Sequence, residues 1–240
     1  MSPASSSRRR SRASFVAALA LAFLCFGGGA RAEAASEALV PAAGLINWAQ
    51  VAVRAQPDRQ AQRTAVLSQF RPDFRPRVVL ALGVRRATSG KPAWYRISLP
   101  GRPNGRTGWV PAESVDLKPI RKEIVIDRSA RTLELRNAGG VELTTRVAVG
   151  AYGMETPLGR FYVMAKFRPT APILGAFGFE TSAYSKLSEW PGGGVVGIHG
   201  TNTPSLLGQA VSHGCIRVAN EAILRLKDLV PVGTPIRIVE

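Results

Sequence analysis

Residues 195–218 read VVGIHGTNTPSLLGQAVSHGCIRV. The stretch opens on the apolar run Val195 to Ile198, the texture of a buried strand, and His199 ends that run. Both histidines of the chain, His199 and His213, fall inside it, together with Cys215. A free thiol titrates near ~8.5 and is mostly protonated at neutral pH, so a Cys nucleophile needs an imidazole beside it. His213 stands two residues before Cys215, about 6.5 Å away between α-carbons in an extended chain, beyond hydrogen-bond reach unless Gly214 bends the backbone. His199 suits the role of base better. The residues between it and Cys215 allow its strand to return beside that of the thiol, where neighbouring strands lie about 4.8 Å apart. Gly214, having no Cβ, lets the main chain turn so that N–H groups near Cys215 point at a developing oxyanion. No acid follows to orient the imidazole, and the carbonyl of Gly200 is the simplest acceptor for its second nitrogen.

Working outward, strand patterns appear at Glu123 to Asp127, Thr132 to Arg136, Glu142 to Val149 and Gly159 to Met164. Asn137-Ala138-Gly139-Gly140 reads as a hairpin turn between two of them. Residues 165 to 194 are rich in Pro, Gly and aromatics without a helical or strand period, and read as a long functional loop. Asn220 is placed to cap a helix running to Leu229, with Ile223, Leu224 and Leu226 on one face and Pro231 as its stop. Thr234 to Val239 makes a last strand. The segment 119–240 thus reads as a β-sandwich with one or two short helices, in an all-β chain.

Residues 45–118 carry short strand runs at Trp48 to Val53, Val78 to Val84, Trp94 to Leu99 and Gly108 to Val110, broken by Pro, Gly and Arg clusters. This reads as a small β domain. Its order of features, Val51-Ala52-Val53-Arg54, then Trp94-Tyr95-Arg96-Ile97, then Gly108-Trp109-Val110, resembles the bacterial SH3-like (SH3b) barrel of cell-wall proteins. At the start of the chain, Arg8-Arg9-Arg10-Ser11-Arg12, the apolar run Phe15 to Phe26 and Ala30-Arg31-Ala32 have the layout of a signal peptide over residues 1–32. Export is the expectation, to the periplasm or cell wall; an uncleaved segment would instead anchor the protein to the membrane.

The 240 residues are 45% hydrophobic and 20% charged, enough apolar material for one large domain or two small ones and too much for a disordered chain. Two Cys and two His in all exclude a disulfide scaffold and a His-rich metal cluster. A lone mature thiol in an oxidising compartment is either in use or buried and inert. The net charge is +16, and between Arg54 and Arg106 the only acids are Asp58 and Asp73. Such a field suits anionic wall polymers or stem-peptide carboxylates, or is simply a solvated Arg-rich surface. Nucleic acid would suit the charge equally, but export argues against it.

His199-Gly-Thr, a gap, and Ser212-His213-Gly-Cys215-Ile-Arg217 resemble the signature of the L,D-transpeptidase (YkuD-like) catalytic domain. Val149-Gly150 and Glu155-Thr156-Pro157-Leu158-Gly159-Arg160-Phe161 extend the likeness, which covers about 120–240. The resemblance implies an L,D-transpeptidase-type β-sandwich in which Cys215 is the acylated nucleophile and His199 the base, oriented by the Gly200 carbonyl. It also implies that His213 and N–H groups near Gly214 line the oxyanion site. The implied substrate is the peptidoglycan stem peptide, attacked between an L-centred diamino acid and a terminal D-Ala. The thioester passes to an amine of a neighbouring stem as a 3→3 cross-link; carbapenems acylate the same thiol, and neither metal nor organic cofactor is required.

Other residues are open between two roles. Arg217 holds a substrate carboxylate or pairs with a local acid or carbonyl; Ser212 bonds His213 or only backbone; Thr201 shapes the cleft or fills a turn. Tyr184 and Trp190 wall an acceptor channel or pack their loop down. The His-before-Cys order excludes the NlpC/P60 wall hydrolases, and the Cys motif and short separation disfavour sortases. A zinc site from His199, His213 and Cys215 has enough ligands but no Glu nearby to serve as base. Within the enzyme class, water in place of the amine gives an L,D-carboxypeptidase, and a wall-binding module with an inactive catalytic domain is the rival of a different class.

Overall fold

The computed structural model describes residues 40–189 and 192–240. The signal-peptide reading and Trp190 lie outside the described residues. The N-terminal strands are β1 (Ala42–Ile46), β2 (Gln50–Arg54), β3 (Arg63–Ser68), β4 (Val78–Arg86), β5 (Pro92–Ser98), β6 (Thr107–Pro111) and β7 (Val115–Pro119). They form one seven-stranded sheet in the order β3-β2-β6-β5-β4-β1-β7, antiparallel throughout. It curls around its own apolar cluster, with Val53, Ala81, Ile97 and Val110 fully buried. The Ala-rich β1 carries little strand propensity of its own and was not legible as a strand. It becomes one because it lies between β4 and β7, and Gly44 fits there since a Cβ would sit 1.7 Å from the Asp116 carbonyl oxygen.

The remaining strands are β8 (Glu123–Asp127), β9 (Thr132–Asn137), β10 (Gly140–Gly150), β11 (Gly159–Phe167), β12 (Gly178–Tyr184), β13 (Val195–His199), β14 (Ala210–Ser212), β15 (Ile216–Val218) and β16 (Pro235–Val239), with helix α1 (Asn220–Leu229) before the last. In β9, Leu133 and Leu135 point into the core while Glu134 and Arg136 pair on the outer face. That is the alternation expected for a half-buried strand. The strand order runs β14-β10-β15-β13-β12-β11-β16-β8-β9, and β9 also pairs β10, so the circuit closes. Two strands make this possible by serving both layers. β10 pairs β9 up to Arg146 and β15 from Val147, while β11 pairs β16 through Tyr162 and β12 from Val163. Between the layers lies a cluster that includes Ile124, Leu135, Val163, Phe179 and Ile198, with Ile223 and Leu226 of α1 covering it.

Two expectations are corrected here. Residues 165–194 are not one loop: β11 continues to Phe167 and β12 occupies Gly178–Tyr184. Most of β12 is buried on both faces, by the core on one side and the N-terminal sheet on the other, so the two-residue alternation that marks a strand is erased. Asn220 does not cap α1; it is the first helical residue, Ala219 precedes the helix, and no side chain caps that end. Its side chain is used elsewhere.

Candidate active site

β13 and β15 run parallel, with Ile198 against Ile216 and His199 against Arg217. One residue earlier, Cys215 comes opposite Gly197, whose amide donates to the Cys215 Sγ at 3.3 Å. A Cβ built on Gly197 would lie 3.7 Å from His199 Cδ2 and 3.9 Å from Cys215 Sγ. Gly197 therefore marks the gap across which imidazole and thiol face one another, on one face of the sheet.

His199 is 3% exposed, and its Nδ1 lies 2.6 Å from the Gly200 carbonyl oxygen. A carbonyl only accepts, so Nδ1 carries the hydrogen and Nε2 keeps its lone pair. Burial pushes the His199 pKa below its ordinary value; the Gly200 carbonyl opposes this and the Arg217 charge adds to it. Burial pushes the half-buried Cys215 thiol up, against the Gly197 amide and the Arg217 charge. Both shifts favour a neutral thiol beside a neutral imidazole.

The turn before Cys215 is closed by Ser212, whose Oγ donates to the Cys215 carbonyl at 2.6 Å and accepts from the Gly214 amide at 3.1 Å. Ser212 thus bonds backbone. Gly214 has a φ of 113°, open to glycine at no steric cost, and its carbonyl accepts from Thr156 Oγ1 at 2.9 Å. Thr156 also accepts from the Gly150 amide at 3.0 Å, so β10 and the turn before Cys215 share one hydroxyl. His213 is exposed beside Gly214.

After His199 the chain is held by Asn220, whose Oδ1 accepts from the amides of Thr201 at 3.2 Å and Ala176 at 3.0 Å. A Cβ at Gly200 would sit 2.2 Å from that oxygen. Thr201 is buried, and its hydroxyl accepts from the Thr203 amide at 3.0 Å, which fills a turn. Arg217 is half-buried beside His199, and among the described residues no hydrogen bond or ion pair engages it; its Nε is buried without a partner. Tyr184 ends β12, with the Arg102 guanidinium 5.0 Å above its ring.

The structure therefore gathers Cys215, His199, Gly200, Gly214, Ser212, Thr201 and Arg217 at one end of β13 and β15. Gly197, Thr156 and Asn220 were given no part in the site by sequence reasoning, which placed Asn220 only as a helix cap. Only Gly197, two residues before a candidate base in an apolar strand, carried a local signal, since a strand glycine marks close approach. Among the described residues no three His, Cys, Asp or Glu side chains are grouped to hold a metal ion.

The L,D-transpeptidase catalytic domain family, YkuD, matches residues 121–238. A Bacillus subtilis protein named as an L,D-transpeptidase, YkuD, is 31% identical over 180 residues, covering 75% of this chain and 96% of that protein. The Bacillus licheniformis protein of the same name is 37% identical over 123 residues, 51% of this chain and 67% of its own length. Among solved structures, an L,D-transpeptidase from Mycobacterium tuberculosis is similar at 16% identity, covering 68% of this chain and 90% of that one, with a TM-score of 0.47.

Proposed function

Since the chain belongs to the L,D-transpeptidase family, we propose that it forms 3→3 cross-links between peptidoglycan stem peptides through a thioester on Cys215, releasing D-Ala from a tetrapeptide donor. The observation that carries this reading is the placement of Cys215 and His199 on either side of Gly197, with the imidazole's Nδ1 committed to Gly200. Nε2 of His199 takes the Sγ proton as the sulfur attacks the carbonyl carbon of the L-centred diamino acid. The tetrahedral oxyanion is met by the Cys215 amide with His213 flanking, because the Gly214 amide is already given to Ser212. A donor so placed is worth about 10²–10³ in rate. The intermediate collapses by breaking the C–N bond, and the imidazolium returns its proton to the departing D-Ala amine. The acceptor amine then loses a proton to Nε2 as it attacks the thioester carbonyl, and the thiol is regenerated with its proton.

In this reading Arg217, unpaired beside the base, receives a substrate carboxylate. The N-terminal sheet is taken as an SH3-like unit, and the protein as exported, its cationic surface resting on anionic wall polymers. The test is incubation of the protein with disaccharide-tetrapeptide and mass spectrometry of the products. Wild type is expected to yield a dimer lacking one D-Ala, and Cys215→Ala none. Tripeptide alone would mean that water is the acceptor, and unchanged substrate with wild type would favour a binding role.

A further inference from the structure

The N-terminal sheet meets the sandwich on β12, the strand next to the one that carries His199. Glu180 is the direct pairing partner of Gly197. Paired residues project from the same face of a sheet, so Glu180 leaves on the face that carries His199 and, across Gly197, Cys215. There Glu180 is gripped by two arginines of the connection between β3 and β4, Arg71 and, at 2.7 Å, Arg75.

At the end of β12 a second contact is made by the chain between β5 and β6. The Asn104 side chain donates to the Tyr184 carbonyl at 2.8 Å and accepts from the Tyr184 amide at 3.0 Å, behaving as an extra strand. Arg102 donates to the carbonyls of Ser185 at 2.8 Å and Gly193 at 3.0 Å while stacking on Tyr184. Gly194 accepts from the Ser185 amide at 2.8 Å, and a Cβ there would lie 2.5 Å from the Arg102 guanidinium. Ser185 in turn abuts the nucleophile's turn: a Cβ on Gly214 would be 2.9 Å from the Ser185 Cβ. One residue separates Arg102 from the turn that presents Cys215. A pocket of about 730 Å³ opens between the two units, lined by Arg102 and Asn104 on one side and by Glu155, Thr156, Ser185 and Lys186 on the other.

We propose that the N-terminal sheet is a wall of the substrate cleft: Arg102 and Asn104 are positioning residues that hold Tyr184 and Ser185 against the turn of Cys215, and the shared pocket receives the peptide part of the substrate. The pocket is lined by Arg102, Arg128 and Lys186 against a single acid, Glu155, which is already paired with Lys186 at 2.9 Å, and this excess of cationic side chains suits the carboxylates of a peptide. The inference rests on the reading of Cys215 as nucleophile.

The test uses the full chain with Arg102→Ala and, separately, Asn104→Ala. On the Cys215→Ala background each is expected to weaken disaccharide-tetrapeptide binding about tenfold by calorimetry. In the catalytically intact chain each should raise KM about tenfold with kcat within about threefold, while iodoacetamide alkylates Cys215 at the wild-type rate. Unchanged affinity and KM would overturn the proposal, as would a fall in kcat and alkylation at constant KM, which marks a general loss of order. If Arg102→Ala does not fold, Asn104→Ala decides on the same readings. Weakened binding together with turnover that survives Cys215→Ala would uphold the wall and defeat the nucleophile.

Discussion

Burial acts on Cys215 and His199 in opposite directions, raising the thiol and lowering the imidazole, and both shifts favour the uncharged forms. In the proposed mechanism, proton transfer then accompanies attack and does not precede it. The proposed mechanism needs neutral His199, so kcat/KM should fall on the acid side with a midpoint below the ordinary imidazole value of 6.5. Arg217 disfavours the imidazolium and favours the thiolate. Arg217→Gln should therefore move the acid limb to higher pH and slow alkylation of Cys215 at fixed neutral pH; an unmoved limb would show that the base does not feel this charge. Most of the residues that meet here were legible because His199 and Cys215 lie on or beside adjacent strands joined by a short connection. Thr156 and Asn220 were not, because a hydroxyl or amide that serves distant backbone has no sequence neighbour to betray it.

Among the elements, the correction at Asn220 is the most instructive. Asparagine before an apolar helical face is a good cap by propensity, yet two loop amides compete for its one carbonyl oxygen and take it. Asn220→Ala should cost about 1–3 kcal/mol, since two amides lose their acceptor. It should also lower kcat by loosening the segment after His199. Denaturant unfolding and steady-state kinetics measure the two effects, and a loss of stability at full activity would separate the helix start from the site. β12 gives the converse lesson. A strand covered on both faces loses its alternation, and its glycine at 178 is explained only by Phe167, whose ring lies 2.2 Å from where a Cβ would be.

Across the whole molecule, the two sheets are joined by a small apolar cluster around Ala43, Leu80 and Tyr162 and by the Arg71 and Arg75 grip on Glu180. Glu180→Gln removes the carboxylate that ties both guanidinium groups to the sandwich, leaving them only Asp73 between them, and should destabilise the chain by about 1–3 kcal/mol. An unchanged denaturation midpoint would mean that the apolar cluster alone holds the units together. The Arg-rich stretch between Arg54 and Arg106 read equally as a polymer-binding surface or as solvated charge; several of its members instead face the sandwich, and no one-dimensional count distinguishes an arginine in water from one reaching a partner about a hundred residues away. By itself the sequence determined the strand-rich class, the hairpin at Asn137 to Gly140 and the Cys and His that meet, because hydrophobic period, turn chemistry and residue scarcity are local properties. Tertiary structure alone decided the tautomer of His199, the employment of Asn220 and Thr156, and the approach of Arg102 to the turn before Cys215, because hydrogen bonds and burial depend on which surfaces the closed circuit of strands brings face to face.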